Sequence, residues 1–82
     1  MKLPRDISGN QLIKALERLD YHMARQTGSH VRLECAVPEK HLLTIPLHNP
    51  LRVGTLSAIL NNVGKHHALT REALIIRLFG KN

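Results

Sequence analysis

The sequence predicts an α+β fold in the order α-β-β-β-α-α, with a three-stranded antiparallel sheet and helices packed on one of its faces. Three observations predict it. A helix-capping signature at Ser8-Gly-Asn-Gln11 precedes leucines at helical spacing. The stretch His30-Val-Arg-Leu-Glu-Cys35 alternates apolar and polar residues with the period of a half-buried strand. Two further amphipathic runs fill the C-terminal third. Eighty-two residues are expected to form one domain spanning 1–82.

The first helix is expected to start at Ser8, whose hydroxyl serves an orphan N–H while Gln11 reaches back. Leu12, Ile13, Leu16 and Leu19 form its apolar stripe, and Asp20 lies beyond its end. Tyr21 to Thr27 is the first strand. Thr27-Gly28-Ser29 supplies a turn, because glycine accepts positive φ and serine bonds locally. In the second strand Val31, Leu33 and Cys35 face the core, leaving His30, Arg32 and Glu34 on the open face. Pro38-Glu-Lys40 breaks this strand. Leu42 to Ile45 is the third, ended by Pro46, which has no N–H for a central ladder.

His48-Asn-Pro50 then reads as a loop. A second helix begins between Arg52 and Thr55 and carries Leu56, Ile59, Leu60 and Val63 on its apolar side, with Gly64 as its stop. Lys65-His66-His67-Ala68 reads as a connector. Thr70 caps the last helix, Glu72 suits its positive end, Gly80 ends it, and Leu74, Ile75, Leu78 and Phe79 are its buried stripe.

Composition restricts the function. Twelve Lys and Arg oppose six Asp and Glu, for a formal net charge of +6. This excess points to a polyanion, because clustered cations release condensed counterions on binding. The basic residues are spread along the chain rather than along one amphipathic helix, which argues against a membrane surface. No apolar run is long enough to cross a bilayer, and the N-terminus lacks the apolar core of a signal peptide. Cys35 stands alone, so no internal disulfide is expected, and the cytoplasm is the expected compartment.

Several chemistries find no motif. The six histidines include no His-x-x-x-His pair and no His-Glu-x-x-His, and the adjacent His66 and His67 are expected to point apart, so no metal site is expected. Ser29 and His30 are strand neighbours on opposite faces and cannot act as nucleophile and base. Phosphate-cradling glycine motifs are missing, and no small-molecule cofactor is expected. Tyr21 and Phe79 are the only aromatic residues, too few to stack single-stranded bases. If RNA is the polyanion, contacts to phosphate and 2′-hydroxyl must dominate.

RNA carries its own nucleophile, the 2′-hydroxyl. Cleaving it takes a base that titrates near neutral pH and cations that offset charge on the phosphate. His30 suits the first task, and Arg25, Arg32, Lys40 and Arg52 the second. Two other readings stay open: a non-catalytic RNA-binding module, and a basic structural protein bound to an acidic partner.

Four segments in order carry a resemblance. They are the capped helix with Leu12, Ile13 and Leu16; Arg25-Gln-Thr-Gly-Ser-His30; Leu43-Thr-Ile-Pro-Leu-His48; and Leu51-Arg-Val-Gly-Thr-Leu-Ser-Ala-Ile-Leu60 leading to Gly64. Together they resemble the HicA (YcfA-like) family of bacterial toxin ribonucleases, the mRNA interferases of type II toxin–antitoxin systems. The resemblance implies a double-stranded-RNA-binding-like fold, metal-independent cleavage of mRNA, and a HicB-like antitoxin as partner. It implies that His30, delivered by the Gly28-Ser29 turn, is the catalytic base, and it adds His48 as a second catalytic candidate. Relative to the family, Lys65-His66-His67-Ala68 reads as a small insertion.

Overall fold

The computed structural model describes residues 6–80. Its elements are helix α1 (Gly9–Leu16), a 3-10 turn (Glu17–Leu19), strands β1 (His22–Thr27), β2 (His30–Cys35) and β3 (His41–Pro46), and helices α2 (Val53–His67) and α3 (Arg71–Phe79). The three strands form one antiparallel sheet in the order β1-β2-β3. This is the α+β arrangement the patterning predicts.

The capping box forms as expected. Gln11 N–H donates to Ser8 Oγ (3.1 Å), and Ser8 N–H donates to Gln11 Oε1 (2.8 Å). Leu12, Leu16 and Leu19 enter the core, while Ile13 is only half-buried. The helix tightens into a 3-10 turn before Leu19, and Asp20 turns the chain with a φ of 65°. Tyr21 lies before β1 rather than in it, and it is buried.

Alternation decides what β2 buries. Val31, Leu33 and Cys35 are buried against the helices, and His30 and Arg32 are exposed on the opposite face. Leu43 and Ile45 of β3 continue the core side; Leu42 and Thr44 are exposed. Helices α2 and α3 close the core with Leu56, Leu60, Val63, Leu74 and Leu78. Phe79, expected inside, sits half-buried at its rim. No helix among the described residues is long and apolar enough to cross a membrane.

The end of α2 corrects the expectation of a stop at Gly64. The helix runs through Gly64 to His67, so Lys65, His66 and His67 form its last turn instead of a connector. Ala68 ends it in the left-handed conformation, with a φ of 55°. Ala68 N–H donates to Lys65 O (3.3 Å) and Leu69 N–H to Gly64 O (2.9 Å), the paired bonds of a Schellman motif. Gly64 eases a close approach instead. A β-carbon there would lie 3.1 Å from the Leu69 carbonyl oxygen where the chain turns back.

Extending α2 brings its last turn against the start of β3 and the end of β2. Tyr21 lies between them, and one set of tautomers satisfies every partner. His67 Nε2–H donates to Tyr21 Oη (3.1 Å), Tyr21 donates to His41 Nδ1 (2.6 Å), and His41 Nε2–H donates to Asn62 Oδ1 (3.2 Å). Burial pushes the Tyr21 phenol far above its usual range, and the neighbouring Cys35 adds to the push. Burial, aided by the charges of His66, His41 and Arg77, lowers the pKa of His67.

A cationic depression on the open face of the sheet

The β1–β2 hairpin positions His30. Thr27 pairs with His30, so Gly28 and Ser29 are a two-residue loop. Gly28 has a φ of 57°, and Ser29 has no positive φ, the sign pattern of a type II′ turn with glycine first. That turn's twist matches the twist of the flanking strands. Gln26 braces the loop by donating from Nε2 to Gly28 O (3.1 Å).

Strand register places the cations. Arg25 of β1 pairs with Arg32 of β2, and Arg32 pairs with Thr44 of β3. Cross-strand partners project to the same face. Arg25, Thr27, His30, Arg32 and Thr44 therefore line one open depression of about 290 Å³. Arg25 reaches this face because the register shifts between Met23 and Arg25, a bulge that re-aims the strand.

The loop after β3 approaches the same end of the sheet. His30 lies opposite Pro46, which is the last residue of β3, and Leu47 N–H donates to Ser29 O (2.7 Å). His48 follows at once and is exposed. Two backbone bonds hold its loop to the start of α1: Gly9 N–H to His48 O (2.9 Å) and Leu51 N–H to Ile7 O (2.7 Å). Gly9 is essential to this approach, because a β-carbon there would overlap the Pro46 carbonyl oxygen.

Of the residues singled out in the sequence, Arg25, His30 and Arg32 come together, and Gly28 and Ser29 form the turn that presents them. His48 is adjacent through the strand register but does not line the depression. Lys40 lies at the far end of the sheet, 3.7 Å from Glu34 in an exposed ion pair. Arg52 is the exposed N-cap residue of α2. Thr44 and Gly9 escaped the sequence reading. Thr44 was readable from the alternation of β3. Gly9 shows in sequence only as a glycine following the capping serine.

What the depression can do follows from its lining. One imidazole can accept a proton, two guanidiniums can hold a phosphate, and two hydroxyls can bond ribose or phosphate oxygens. Among the described residues the lining contains no carboxylate and no thiol, so it has no donor set suited to a divalent metal.

A family model described as the HicA toxin of bacterial toxin–antitoxin systems matches residues 9–65. The match runs from the first residue of α1 into the last turn of α2. No curated protein matches the chain, and no solved structure does.

Proposed function

The chain belongs to the HicA toxin family of bacterial toxin–antitoxin systems, whose members are generally ribonucleases, and from that premise we propose that it cleaves mRNA by metal-independent transesterification with His30 as general base. The observation that carries this reading is the convergence of His30, Arg25 and Arg32 in one solvent-open depression. His30 takes the proton of a 2′-hydroxyl. The 2′-oxygen attacks the adjacent phosphorus, and the bond from phosphorus to the 5′-oxygen breaks. Arg25 and Arg32 offset the charge that builds on the phosphate oxygens. His48 protonates the departing 5′-oxygen. The products are a 2′,3′-cyclic phosphate and a 5′-hydroxyl.

Outside the depression, Lys40 and Arg52 extend the cationic track for the RNA backbone. A HicB-like antitoxin is the proposed protein partner, and the described chain is proposed to act as a single domain.

Two measurements test the proposal. His30→Ala is expected to abolish growth inhibition and RNA decay on expression while the purified variant still binds RNA. Product analysis is expected to find cyclic phosphate and 5′-hydroxyl ends. An active His30→Ala variant, or products ending in 5′-phosphate, would refute the mechanism.

A further inference from the structure

We propose that Cys35, His66 and His67 form a binding site for a zinc-type divalent ion, separate from the RNA-facing depression. These residues come from the end of β2 and the last turn of α2, and their donor atoms all lie within 4.8 Å of one another. Cys35 Sγ is 4.0 Å from His67 Nε2. Although they are sequence neighbours, His66 and His67 converge, with ring centroids 4.9 Å apart. This overturns the expectation that adjacent histidines must point apart. A tetrahedral ion, with metal–sulfur near ~2.3 Å and metal–nitrogen near ~2.0 Å, holds such donors roughly 3.3–3.6 Å apart. Binding therefore draws the donors together by up to about 1.5 Å.

The donor chemistry selects the ion. One thiolate and two imidazoles suit zinc, cobalt or similar borderline ions and do not suit magnesium or calcium. The support around the donors is also in place. His66 Nε2 lies 2.9 Å from the Glu39 carbonyl oxygen and donates to it, leaving Nδ1 with the lone pair. His41 stacks on the His66 ring at 4.2 Å, which limits its rotation. Cys35 is fully buried, and its thiol donates a long bond to Val37 O (3.4 Å). On binding, the Cys35 thiol proton leaves to solvent, and the His67 proton moves from Nε2 to Nδ1. Water completes the fourth position.

The site is remote from His30. Cys35 lies at the other end of β2 and on its other face, five residues or about 17 Å along the strand. The ion would join β2 to α2 and so stabilise the fold. It has no part in cleavage.

The test uses the full chain, stripped with chelator and kept reduced. Titration with cobalt is expected to give one equivalent of tetrahedral d–d absorption together with a sulfur-to-cobalt charge-transfer band. Zinc is expected to displace the cobalt, release one proton from the metal-free chain per ion bound, and raise the melting midpoint by roughly 10–20 °C at a hundredfold excess over Kd. Cys35→Ser should lose the charge-transfer band. His66→Asn, at a half-exposed position, should weaken binding at least about tenfold. His22→Asn, on the open face, should leave it unchanged. A folded chain that shows no charge-transfer band, or a His66→Asn variant that binds as tightly as the parent, would overturn the site.

Discussion

Gly28 combines open space with a backbone conformation that side chains resist. A β-carbon there meets nothing within 4 Å, so any cost of substitution comes from its φ of 57° alone. Gly28→Ala is expected to lower stability by about 1 kcal/mol, and Gly28→Val by more, because a β-branched side chain resists positive φ most strongly. Denaturant unfolding of the two variants checks the order; equal losses would mean that the turn relaxes into another form. His48 offers a different test. If it protonates the leaving oxygen, the rate should trace a bell against pH, and His48→Ala should remove the alkaline limb. An unchanged profile would shift that role to a cation such as Arg32. At this scale the sequence was readable for His30 and Arg32, because strict alternation along β2 admits only one buried face. It was silent on Gly9, whose importance arises from a carbonyl thirty-seven residues away in the chain.

Helix α2 shows where local signals mislead. A glycine after an apolar stripe usually marks a helix end, but here the helix continues one turn further and Ala68 takes the left-handed position. An alanine in that conformation is strained. Ala68→Gly is therefore expected to stabilise the domain by roughly 0.5–1 kcal/mol, net of glycine's greater freedom when unfolded. A rise in the thermal midpoint would confirm it, and a fall would mean that the Schellman turn does not persist in solution. The same turn explains why the group around Tyr21 was not readable. Tyr21, Cys35, His41, His66 and His67 are scattered in sequence and share no spacing motif. Only the added helical turn brings His66 and His67 against the ends of β2 and β3. The strands and the first helix, in contrast, rest on local patterns that the packing reinforces.

Charge acts over the whole molecule. The net charge of +6 makes the chain attractive to nucleic acid at long range. For RNA binding, the logarithm of affinity should fall linearly with the logarithm of salt. Arg25→Ala and Arg32→Ala should each reduce that slope by about 0.7, the share of one phosphate contact on a single strand. Binding independent of salt would remove RNA as the polyanion. Strand β1 carries a further consequence. All six of its residues are exposed, and among the described residues no strand lies on its outer side. Such an edge is a template on which a second chain can add, and continued addition leads to fibrils. The bulge near Ala24 and the cation at Arg25 work against this, since a kinked, charged border does not accept a flat neighbour. The distortion that turns Arg25 onto the open face thus also helps keep neighbouring molecules from joining edge to edge, and straightening it would trade solubility for self-association.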